Sequence, residues 1–130
     1  MTTSALTAKG AAIDELPSLW DGFARLVRPG LGLAGFGANI MNLPPDYATK
    51  SHDESGSGQE ELYVALAGSG AVVLDATGER LVLDADHVAA VGPTTARTVT
   101  SGPDGLRVLI VGGTPGQAYV APDWSSTGDA

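Results

Sequence analysis

The side chains able to do chemistry in this 130-residue chain gather in two short stretches. Lys50, His52 and Glu54 stand two apart, and so do Glu61, Tyr63 and Ala65. In extended chain, residues two apart face the same side, so each stretch presents one polar row. An imidazole that titrates near neutrality, set beside carboxylates, can take a proton from one atom and return it to another. Between the rows lies Ser55-Gly56-Ser57-Gly58, which has no packing groups and is expected at the mouth of whatever encloses them. The other histidine, His87, follows the Asp84-Ala85-Asp86 turn, where bonding within the turn is expected ahead of ligation.

Setting such rows face to face takes strands, and the composition favours them. Gly and Pro number 18 and 8, one fifth of the chain with no collagen period, which suits many short strands joined by tight turns. Turn residues divide the sequence into expected strands at 23–28, 31–43, 61–67, 71–75, 79–83, 87–91, 97–101 and 106–111. Gly68-Ser69-Gly70 and Gly102-Pro103-Asp104-Gly105 read as two of the reversals. Before them, residues 11–20 carry weak helical periodicity cut by Pro17, and an irregular turn is expected there. About eight strands with hardly any helix predict an all-β fold, a single-domain antiparallel jelly-roll barrel whose bore admits side chains and one small ligand. Function is therefore sought inside it. The scarce large aromatics Trp20, Phe23, Phe36 and Trp124 are expected as core or interface anchors.

Charge and missing residue types narrow the field. Seven basic against fifteen acidic residues give a net charge of −8, which repels phosphate backbones and anionic lipid, so no nucleic-acid and no membrane partner is expected. Without cysteine there is no disulfide, thiolate catalysis or iron–sulfur centre. No apolar run approaches the roughly 20 residues of a membrane helix, and a cytoplasmic protein is expected.

The run Glu61-Leu62-Tyr63-Val64-Ala65-Leu66-Ala67-Gly68-Ser69-Gly70 resembles the first motif of small single-domain cupins. In that family a His-x-His pair precedes the glutamate, a second motif supplies a third histidine, and the four side chains usually hold one divalent metal. The resemblance spans roughly 43–113, with the second motif matched loosely by Asp86-His87-Val88 and Gly92-Pro93. It implies an N-terminal arm over 1–22, a cupin barrel over 23–113 and a C-terminal arm over 114–130, with 1–9 and 125–130 frayed. Departures from the pattern matter more. His52-Asp53-Glu54 stands in the His-x-His place, so Glu54 replaces the second histidine; one register back, Lys50 replaces the first. Arg97 stands where the third histidine belongs, and a guanidinium offers no lone pair to a metal.

Two readings of this degenerate site stand side by side. His52, Glu54 and Glu61 hold Mn, Fe, Ni or Zn with open positions for substrate, or Arg97 pairs with Glu61 or Glu54 and no cofactor is held. On the second reading Arg97 also suits an anionic ligand. The expected function is then a small, anionic organic molecule bound in the barrel by Lys50, Glu54, Tyr63 and Arg97. Catalysis would be acid–base work by His52 and Glu61, of isomerase, lyase or cyclase type. The alternatives are a metal-dependent dioxygenase or other oxidoreductase and a non-catalytic ligand sensor. The resemblance further implies a homodimer, with residues 119–124 as a contact.

Overall fold

A computed structural model describes residues 4–126; the fraying expected of 1–3 and 127–130 lies outside the described residues. After a 3-10 turn at Ile13–Glu15 come strands β1 (Ser18–Leu19) and β2 (Ala24–Leu26), a helical turn α1 (Val27–Leu31), and β3 (Gly37–Leu43). The chain continues through β4 (Glu60–Leu74), β5 (Arg80–Leu83), β6 (Val88–Val91) and β7 (Arg97–Gly113), and closes with α2 (Asp123–Ser126). The strands pair antiparallel in the order β1-β2-β3-β7-β4-β5, with β6 also on β4. No helix among the described residues is long and apolar enough to cross a membrane.

Two expected reversals are absent. Gly68-Ser69-Gly70 and Gly102-Pro103-Asp104-Gly105 lie opposite one another within the continuous β4–β7 pair, where the register shifts from Gly68↔Leu106 to Gly70↔Ser101. They make a bulge that bends both strands. Gly68 has φ +73, and a Cβ there would collide with the Gly105 carbonyl oxygen, so the two backbones meet where side chains cannot. The expected strand over 31–43 is also corrected: it starts only at Gly37, because the chain first makes α1 and leaves it through Gly32 at φ 77.

The bend turns one ladder into two facing layers. One holds β1, β2, β3, β6 and residues 106–113 and 60–68; the other holds residues 97–101 and 70–74 with β5. Residues 48–52 edge the second layer through the bridges Ala48↔Thr100 and His52↔Arg97. Tyr63, Val72, Leu83, Val99, Leu106 and Val108 are buried between them. Removing each such aliphatic from water contributes about 1.5–3 kcal/mol. The N-terminal segment packs against this body: Leu26 N–H donates to Pro17 O at 2.7 Å, and Asp14 meets Arg107 at 2.8 Å.

Candidate functional site

Strand register decides which side chains look into the barrel. Gly37, Gly112, Glu61 and Val91 lie in one cross-strand row, and Asn39, Ile110, Tyr63 and Ala89 in the next. Tyr63 is fully buried, so Glu61, two residues before it, faces the same way. Its neighbour across the ladder, Gly112, has no side chain, and Gln59 Oε1 sits 2.6 Å from where its Cβ would stand. His52 arrives from the opposite layer. Its N–H donates to Arg97 O at 3.0 Å, and its carbonyl oxygen accepts the return bond from Arg97 N–H at 2.9 Å. Directly paired residues share a face, so the imidazole and the guanidinium both project inward.

Arg97 crosses the interior to join the layers. It is fully buried, and its Nη2 donates to Glu61 Oε1 at 2.7 Å. Nε donates to the Tyr63 hydroxyl at 3.1 Å, while Nη1 serves the carbonyls of Gly92 (3.2 Å) and Thr95 (2.8 Å). The Tyr63 hydroxyl donates to the same Glu61 Oε1 at 2.8 Å. Above this base, His52 Nε2 lies 3.5 Å from Glu61 Oε1 and 3.4 Å from Glu54 Oε2. Glu54 is placed by the 54–58 turn: its carbonyl accepts the Ser57 and Gly58 N–H groups, and its Oε1 accepts the Ser57 hydroxyl at 3.0 Å.

These contacts set the protonation states. Hydrogen bonding to Glu61 raises the His52 imidazole above its ordinary value, burial and the Arg97 charge opposing, both carboxylates assisting. Burial pushes the Glu61 carboxyl up, but hydrogen bonds from His52, Arg97 and Tyr63 outweigh it and hold the group below the usual carboxylate range. Tyr63 is pushed up, by burial first and by the Glu61 charge, and remains a donor. The result is a Glu61 that is ionised at neutral pH with a titratable imidazole beside it.

A cavity of about 610 Å³ opens over this cluster. His52, Glu54, Glu61 and Gln59 form its polar end, and Met41 and Ile110 are among its apolar walls. Of the expected ligand contacts, the structure brings His52, Glu54 and Glu61 together and leaves three out. Lys50 is exposed and does not line the cavity. Tyr63 and Arg97 are fully buried beneath Glu61, where they hold the carboxylate, and do not line the cavity. An anion therefore finds no free guanidinium here. Of the two readings of Arg97, the geometry is that of the ion pair, with Glu61 as its partner. His87 bonds Asp84 Oδ1 at 2.7 Å across its turn and takes no part.

Other lining residues escaped the sequence reading. Gln59 continues the Glu61–Tyr63 row by one step, a period-two signal that could have found it. The C-terminal arm folds across the barrel, and Tyr119 and Trp124 line the cavity. Trp20 and Trp124, expected as core or interface anchors, are 63% and 45% exposed, and their rings meet at 6.1 Å by the cavity mouth.

The donor set can be tested against a divalent cation. One ligand atom from each of His52, Glu54 and Glu61 lies within 4.8 Å of the others. Ligands about 2.1 Å from a tetrahedral centre stand roughly 3.4 Å apart, close to the two separations from Nε2. One imidazole and two carboxylates fit by type, and the two distances from Nε2 fit by spacing, with the set as a whole bounded at 4.8 Å. The buried Arg97 charge, 2.7 Å from Glu61, weakens the attraction.

No protein-family model and no curated protein matches the chain. Solved structures do. A cupin protein from Bacteroides fragilis superposes with a TM-score of 0.67 at 20% identity, over 92% of this chain and 93% of its own. A double-stranded β-helix protein from Klebsiella pneumoniae gives 0.64 at 18% identity, over 88% and 96%. A sugar phosphate isomerase of the cupin superfamily from Silicibacter pomeroyi gives 0.56 at 19%, over 68% and 57%. At these identities the likeness is one of fold, and it agrees with the bent two-layer barrel: the chain has the fold of a small single-domain cupin.

Proposed function

We propose that the protein binds a small, uncharged organic molecule in the barrel cavity and moves a proton on it through His52, with Glu61 as the fixed counter-charge. One observation carries this reading: a half-exposed imidazole on the cavity wall, with Nε2 between the Glu54 and Glu61 carboxylates. Neutral His52 takes a proton from a carbon made acidic by a neighbouring carbonyl. The two carboxylates stabilise the imidazolium, and the proton returns at a second atom, or a leaving group departs. Glu61 cannot drift, because Arg97 and Tyr63 hold its Oε1 from below. The uncharged substrate follows from the sealed Arg97 and from two carboxylates at the polar end.

The test is solvent deuterium exchange on a panel of uncharged hydroxy-aldehydes and hydroxy-ketones. Wild type should incorporate deuterium beside the carbonyl, and His52→Gln should be slower by about 10²-fold or more. Equal rates in the two proteins across the panel would sink the reading.

A second reading rests on the donor spacing. His52, Glu54 and Glu61 would hold a divalent cation that supplies Lewis-acid or redox chemistry at its open positions. Metal analysis of untagged protein and of His52→Ala decides it: below about a tenth of an equivalent in wild type, the reading is removed.

A further inference from the structure

We infer that Gln59 is the residue that selects the ligand, and that it recognises an uncharged group offering a hydrogen-bond donor and an acceptor side by side. The inference deepens the reading of the cavity as a ligand site and rests on it. Gln59 is only 8% exposed, yet it lines the cavity. Its backbone N–H is satisfied by the Ser57 hydroxyl at 3.2 Å, while its side-chain amide makes no hydrogen bond among the described residues. The residue is buried but its amide is not sealed: the amide opens onto the cavity, where a ligand can reach it without first breaking a bond to the protein.

The seat of the amide is built. A Cβ on Gly112 would stand 2.6 Å from Gln59 Oε1 and 3.6 Å from Glu61 Cγ, so the missing side chain of Gly112 is the space these two polar groups share. Gln59 and Glu61 thus stand side by side at the polar end, the amide offering one acceptor and two donors beside a carboxylate that only accepts. An amide edge matches a cyclic amide or imide as well as a vicinal diol. Either is uncharged, in keeping with two neighbouring carboxylates and a net charge of −8.

Gln59→Leu tests this in the full chain by two independent measurements. Without ligand, replacing an amide that bonds nothing in the protein by an apolar group of similar size should leave Tm within about 4 °C of wild type; a larger fall shows the amide to be structurally paired and overturns the inference. For binding, wild type and Gln59→Leu are titrated with succinimide, inositol and benzoate while the side-chain amide and imidazole signals are followed by NMR. Succinimide or inositol should bind wild type and lose at least about tenfold in the variant, and benzoate should not bind. Equal binding to both proteins, preference for benzoate, or no binding by either uncharged probe overturns it. The two proposals fail separately. Gln59-dependent binding without His52-dependent deuterium exchange removes the proton-transfer reading alone. Exchange with unchanged KM in Gln59→Leu removes the role of Gln59 alone.

Discussion

Arg97→Met attacks the joint on which the site stands. The guanidinium uses four donor contacts: two to the Gly92 and Thr95 carbonyls, one to Tyr63 and one, charge-assisted, to Glu61. Methionine keeps most of the volume and supplies none of these. Glu61, 14% exposed, would keep its charge without the guanidinium, with only the Tyr63 hydroxyl and the half-exposed His52 beside it. Removing one member of a buried pair costs about 3–5 kcal/mol, against a total stability of about 5–15 kcal/mol. With an m-value of about 2 kcal/mol/M, the urea midpoint should fall by roughly 2 M. The double variant Arg97→Met/Glu61→Leu should recover at least about 2 kcal/mol of this, since removing both charges leaves no orphan. The acid-side pH dependence should also weaken. In wild type the Glu61 carboxyl is held low, so its contribution is present above the unfolded value and lost as pH falls through the folded one. In Arg97→Met the hydrogen bond and the charge of the guanidinium are both gone, the folded value rises from its wild-type position, and less stability is lost on acidification. A single variant that loses less than about 1 kcal/mol, or a double variant as unstable as the sum of the two singles, refutes the reasoning.

His52 carries the opposite sign to wild-type Glu61. Its folded value is raised, so its contribution is complete below about pH 6.5 and is lost as pH rises through the folded value. With the side chain 45% exposed this amounts to at most about 1 kcal/mol. His87 is raised by Asp84 and adds a slope of the same sign, so urea unfolding at about pH 6 and about pH 8 should be compared in a His87→Gln background. There His52→Gln should remove the residual slope, and an unchanged slope would contradict the assignment. Gly37→Ala addresses the C-terminal strap. Gly37 lies outside the left-handed region, so alanine suits the strand, but its Cβ would stand 2.6 Å from the Tyr119 hydroxyl. Tyr119 must move, and the 6.1 Å contact between Trp124 and Trp20 should be lost with it. The chain has just these two tryptophans, so emission reads the change directly; an unaltered spectrum would show that the strap is not seated by Tyr119.

What the sequence disclosed and what it withheld divide along local and non-local physics. Period-two spacing placed Glu61 and Tyr63 on one face, and the resemblance brought His52, Glu54 and Arg97 to the same place. The pairing of Arg97 with Glu61 followed from chemistry, since a guanidinium cannot replace a metal-binding histidine. Turn composition could not separate a reversal from a bulge. Gly68-Ser69-Gly70 and Gly102-Pro103-Asp104-Gly105 have the residues of hairpins, and they become bends because each lies opposite the other, thirty-odd positions away, where Gly68 and Gly105 let two backbones touch. The same limit explains why Arg97 was expected to meet a ligand. Its charge was legible; its burial beneath Glu61 depends on carbonyls at Gly92 and Thr95 that no pattern marks as acceptors. Once Arg97 is spent on the fold, selection of a ligand must fall to groups the fold leaves unspent. Among the cavity's polar side chains, that argument leads from the expected cation to the uncharged amide of Gln59.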